Sequence, residues 1–240
     1  METYISAMPL WAIVLFIPAF IYSIAFIANP AKQAALNAGM PLAAARNIQL
    51  GIFGFYILYL AYVSIFSVKG IFAINTLPPR IFVWTTLPLA IILFVIVGNT
   101  GLFKKLLRSV TLESLIRLHT FRILGAFFII LYFYHLLPAG MAFTAGLGDI
   151  ITALLAVPVA NMVAKKKPGS IKAVYAWNIL GMLDIVNVMV IAVMNAIKSM
   201  NNAGPGEFEM TIFPFVWFPA FAPATILFLH IAVFRKLQLR

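Results

Sequence analysis

The chain has 240 residues, of which 64% are hydrophobic and only 10% charged, with a formal net charge of +11 and no cysteine. Too little polar surface remains to clothe a soluble globule, and without thiols there can be no disulfide, thiolate metal site, iron–sulfur cluster or cysteine nucleophile. The basic residues form short clusters beside apolar stretches, a pattern that fits membrane topology and contact with anionic lipid better than nucleic-acid binding.

Seven apolar stretches follow one another, at approximately 8–29, 49–68, 80–99, 120–138, 147–163, 173–197 and 212–234. Each is close to the ~20 residues that a helix needs to cross a ~30 Å hydrocarbon layer. The predicted fold class is therefore all-α, a polytopic seven-transmembrane-helix bundle formed by a single domain over residues 1–240. The first stretch is too long for a signal h-region and follows Glu2 without a basic n-region, so it is expected to be retained. Connections one, three and five, with the C-terminus, carry fourteen of the seventeen Lys and Arg, leaving Lys69, Arg80 and Lys198 for the other side. Because basic residues favour the cytoplasmic side, this places the N-terminus outside and the C-terminus in the cytoplasm. Trp11, Trp84 and Trp217 near the outer ends, and Trp177 near the inner end, read as interfacial aromatics. The expected location is a bacterial inner (plasma) membrane.

The first connection, Pro30 to Asn47, is Ala-rich and reads as a short helix. In the third, Leu102-Phe-Lys-Lys-Leu-Leu-Arg-Ser-Val interleaves apolar and basic residues like a segment lying on the inner leaflet. Thr111 then reads as an N-cap, with Glu113 and Arg117 at the spacing of a helix-surface ion pair, so the fourth helix is predicted to begin about two turns before the membrane. Gly140, Gly146 and Gly148 after Pro138 read as a tight hairpin between the fourth and fifth spans. Ser199 to Thr211, containing Asn-Asn-Ala-Gly-Pro-Gly-Glu, reads as a mobile loop. Prolines inside alternate spans (Pro18, Pro88, Pro158, Pro219 and Pro223) predict bent helices.

Ionisable groups are costly inside a bilayer, so the few that fall there are the candidate site. Helical rise from Lys172 places Asp184 ~18 Å into the sixth span, with Asn187 a turn further on the same face. His135, a turn from the end of the fourth span, and Asp149, at the start of the fifth, are expected to face each other across the hairpin. His135, Asp149, Asp184 and Asn187 thus form a candidate ligand- or ion-binding group in the outer half. Asp149 also reads as a first-turn carboxylate favoured by the helix dipole. A second, inner polar cluster is expected from Arg122, Asn178 and His230, with Asn99 and His119 nearby. Arg122 is close enough to the expected start of its span to snorkel to phosphates, but it could form an inner gate with His230 if the fourth and seventh helices are neighbours. Tyr56, Tyr59 and Tyr62 of the second span read chiefly as packing groups.

No lysine lies between Ile212 and Phe234 to hold retinal; His135 and His230 belong to opposite halves, and His119, on the same side as His230, is expected to precede the bilayer, which disfavours bis-histidine haem. No nucleophile, P-loop or dinucleotide motif is present. No cofactor, metal site or catalytic residue is therefore assigned. The expected function is a membrane transporter or channel for a small molecule or ion, using a polar intramembrane site on the fourth to sixth helices. The alternatives are a seven-helix ligand or light sensor signalling through a partner, and an intramembrane metal-dependent enzyme. The expected partners are the bilayer itself, anionic lipids at the inner face and the small-molecule or ion ligand.

Overall fold

The structure is a computed structural model that describes residues 5–201 and 208–239. Glu2, Glu207, Arg240 and most of the Asn-Asn-Ala-Gly-Pro-Gly-Glu segment lie outside those residues. Seven helices are long and apolar enough to cross a membrane: Leu10–Asn37, Leu42–Val68, Phe82–Asn99, Leu112–Phe133, Ala139–Ala164, Ser170–Met200 and Trp217–Gln238. Among the described residues there is no β-strand, only an isolated bridge between Ile5 and Phe213. A chain that satisfies its backbone within helices of this length and apolarity is an integral membrane protein.

Several boundaries differ from the sequence reading. The first helix continues through Pro30 to Asn37 and the second begins at Leu42, so the Ala-rich connection extends both neighbours and forms no separate helix. The fourth helix does begin at Leu112, where the Thr111 hydroxyl accepts the Ser114 N–H at 3.1 Å and Arg117 pairs with Glu113 at 2.8 Å. It ends at Phe133, and the fifth begins at Ala139 rather than near residue 147. The glycines expected in the hairpin are therefore inside the fifth helix, where small residues let neighbouring backbones approach.

Hydrogen bonds define the two ends of the bundle. At the N-terminal end, the Ser6 N–H reaches the Phe213 carbonyl at 2.8 Å and the Ser67 hydroxyl reaches that of Thr211 at 3.0 Å. At the opposite end, Asn37 and Lys236 donate to the carbonyls of Ser109 and Arg108 at 3.3 and 2.7 Å, holding the short amphipathic helix Gly101–Ser109 against the bundle. The seventh helix is the axis, with 67% of its most apolar window buried, whereas the sixth has 11% buried and lies at the periphery. Aromatic rings fill the space around the axis: Phe16 packs on Phe215 at 4.7 Å and on Phe127 at 5.0 Å, and Phe128 packs on Phe218 at 4.4 Å.

Proline leaves the carbonyl four residues earlier without its helical donor. Pro88 does this to Trp84, and the Tyr62 hydroxyl donates to that oxygen at 3.1 Å. Pro223 does it to Pro219, whose oxygen accepts the Thr86 hydroxyl at 2.7 Å. Tyr56 meets the Thr225 hydroxyl at 3.2 Å. The tyrosines of the second helix thus serve packing and hydrogen bonding. Trp177 and Trp217, expected at the membrane boundaries, are instead buried, their indole N–H groups bonded to the Thr152 carbonyl at 3.0 Å and the Ser64 hydroxyl at 2.9 Å. Trp11 and Trp84 are exposed.

Glu209, outside the spans, is buried and accepts the Ser6 hydroxyl. Burial pushes its carboxyl above the ordinary range, the Ser6 hydrogen bond opposing this in part. Its folded value thus exceeds its unfolded one, so the folded state binds the extra proton and stability is greatest below the unfolded value of about 4.5. That stability is lost as pH rises through the raised folded value. The Ser6 amide should accordingly be better protected from hydrogen exchange at acid pH than at neutral pH, after correction for intrinsic exchange, and Glu209→Gln should flatten the difference. A profile identical in both proteins would exclude this contribution.

Candidate functional site

Arg122 is the centre of the polar interior. It lies ten residues after the start of the fourth helix, ~15 Å or more along it, and is only 1% exposed. Its Nε donates to Asp149 Oδ1 of the fifth helix at 2.6 Å, and its Nη2 donates to Asp184 Oδ2 of the sixth. Its Nη1 faces His230 Nε2 of the seventh helix at 3.2 Å and the Gly181 carbonyl at 3.3 Å. One guanidinium thus connects four helices. The expected snorkelling is overturned because the side chain is fully buried and its guanidinium is held by Asp149 and Asp184.

The geometry fixes the tautomer of His230. Arginine has only donors, so Nε2 must accept; Nδ1 then carries the hydrogen and donates to Asn178 Oδ1 at 2.8 Å. Asn178 Nδ2 returns a hydrogen bond to the His230 carbonyl at 3.1 Å. The His119 ring lies 4.0 Å from that of His230 and meets Trp177 edge-on at 5.0 Å. Both His119 nitrogens and the Thr152 hydroxyl are buried without a hydrogen-bond partner, an arrangement that costs about 1–3 kcal/mol per group.

Glycines make this closeness possible. A Cβ on Gly125 would fall on the Cβ of Asp149, and one on Gly148 would fall on the Asp184 carboxylate. One on Gly181 would stand 2.5 Å from the His230 ring. Gly125 and Gly181 were not singled out by sequence pattern, and Gly148 only as a hairpin residue, because a glycine that clears space for a remote side chain carries no local signature.

The two groups expected from sequence are rearranged into one. Arg122, Asn178 and His230 do meet, and Asp149 and Asp184 join them. Asp149 is ten residues inside the fifth helix and buried, so its reading as a first-turn, surface carboxylate opposite His135 is corrected. His135 is an exposed turn residue with φ 58°, beyond the end of its helix at Phe133. Asn187 is exposed, because the buried face of the sixth helix runs through Val174, Trp177, Asn178, Gly181 and Ile185 and ends there. Asn99 caps its own helix, donating to the Val95 carbonyl at 2.8 Å. Among the described residues no three His, Cys, Asp or Glu side chains converge as a metal site.

Charge arithmetic is the chemical content of the site. Two carboxylates share one guanidinium, and each has a second oxygen that Arg122 does not engage. With both ionised, the cluster carries one uncompensated negative charge.

Residues 78–238 match a family described as a domain of unknown function (DUF8737). The match covers more than half of the chain and includes every member of the cluster; the chain belongs to this family. No curated protein and no solved structure matches it.

Proposed function

We propose that this member of the DUF8737 family is a membrane transporter for a small molecule or ion, with Asp149, Asp184 and Arg122 as the site where a cation couples to movement. The observation that carries the reading is the surplus carboxylate. A net charge in a low-dielectric interior is expensive, about 2.5–3.5 kcal/mol even on insertion scales, so binding and release of one positive charge, a proton or another cation, changes the stability of the packed state. Asp184 and Asp149, 12% and 11% exposed at their side chains, are about equally accessible for that exchange. We further propose that the N-terminal end faces outward and the C-terminal end the cytoplasm of a bacterial inner membrane, on the distribution of Lys and Arg.

The test is flux in proteoliposomes under an imposed pH gradient. Wild-type protein should move protons or a co-transported solute in response to the gradient. Asp184→Asn should insert and fold, since Asn keeps the size and still accepts from Arg122, yet lose the dependence on pH because it cannot ionise. An unchanged pH profile in this variant excludes Asp184 as the coupling group. Folded wild-type protein that moves nothing under any gradient overturns the transport reading and favours a sensor.

A further inference from the structure

Beside the cluster, toward the N-terminal end of the bundle, lies a half-open cavity of about 470 Å³ lined by residues of the third to seventh helices. Phe82, Phe128, Met189, Phe218 and Pro223 are among its apolar walls, and Asp149 is the charged residue that reaches it. This is the composition of a small-molecule site: concave, mostly apolar, within the ~300–1,000 Å³ range of such pockets, and holding a single group that fixes orientation. No residue of the sixth helix beyond Ile185 is buried, so on that side the cavity has only a thin wall.

We propose that this cavity binds an organic monocation with a bulky apolar body, its positive centre against the carboxylate of Asp149. Resting on the transporter reading above, this names the substrate class of that site. The argument is by elimination on the charges and the walls. A proton needs no cavity of this size. A hard inorganic cation needs about six oxygen ligands, and these walls are almost wholly apolar. An anion meets a site already in negative surplus. A neutral apolar molecule would fit the walls but would leave the carboxylate uncompensated. An organic monocation satisfies both, placing its charge at the Asp149 oxygen that Arg122 leaves open and its body on apolar walls that include Phe128 and Phe218.

Tetraphenylphosphonium and tetraphenylborate form a matched probe pair, equal in shape and opposite in charge. Equilibrium binding to the purified full chain in detergent should show saturable uptake of tetraphenylphosphonium and none of tetraphenylborate. Asp149→Asn should weaken the phosphonium at least tenfold. If that variant misfolds, Val188→Trp provides an independent test, because it fills the cavity wall without touching Arg122 and should abolish binding in folded protein. Equal binding of both probes, or phosphonium binding unchanged in either folded variant, overturns the proposal. Absence of phosphonium binding while pH-coupled flux of another solute persists overturns the substrate class and leaves the transporter reading standing. Saturable binding blocked by Val188→Trp, with no flux in liposomes, supports the site and overturns the transporter.

Discussion

Arg122→Met should destabilise the folded protein by about 3–5 kcal/mol, the usual consequence of removing one partner from a buried ion pair. The loss arises less from missing attraction than from two carboxylates left buried without a counter-charge. Neutralising them should therefore restore much of it: Arg122→Met combined with Asp149→Asn and Asp184→Asn should be more stable than Arg122→Met alone, although it carries more substitutions. Arg122→Lys should rescue poorly. The guanidinium donates through three separate nitrogens to groups on the fifth, sixth and seventh helices, and a single ammonium cannot occupy those directions together. Thermal unfolding in detergent reads all three variants. If Arg122→Met unfolds at the wild-type temperature, the cluster is not what joins these helices.

Gly125→Ala should have the next largest effect, a loss of about 1–3 kcal/mol from overpacking. The new methyl would meet the Cβ of Asp149, and two Cβ atoms fixed to their backbones have no rotamer by which to escape. The fourth and fifth helices must separate, carrying Arg122 away from Asp149. Gly54→Ala is the internal control: nothing lies within 4 Å of the added methyl in the second helix, so helix propensity alone should stabilise it by about 0.5–1 kcal/mol. Equal unfolding temperatures for the two variants would refute the steric account.

The number of spanning helices was legible in the sequence because it depends on length and apolarity alone. The Thr111 cap and the Glu113–Arg117 pair were legible because both are local. Depth was not, since it depends on where a helix begins. Residues 139–148 contain three glycines, which weaken a helix in water and therefore read as a hairpin; against neighbouring helices Gly146 and Gly148 permit close packing, and the helix runs through all three. That shift of eight residues hid Asp149 in a surface reading. Arg122 read as a residue near the headgroups because its partners, Asp149 and Asp184, lie on other helices. His135 and Asn187 failed for the opposite reason: their heights were estimated, but chain reversal at φ 58° and the outward face of the sixth helix removed them from the interior. The meeting of Arg122 with His230 was foreseen only conditionally, because no sequence pattern states which helices are neighbours.

The hydrogen bonds around Arg122 also determine how well the bundle insulates. A hopping proton needs a chain of groups each able both to receive and to release one, and arginine keeps all its hydrogens in proteins. Arg122 stands between the carboxylates on one side and His230 with Asn178 on the other. Protons reaching Asp149 or Asp184 thus have no continuing relay through the imidazole branch. In this packing the guanidinium is a circuit-breaker between the two carboxylates and the imidazole.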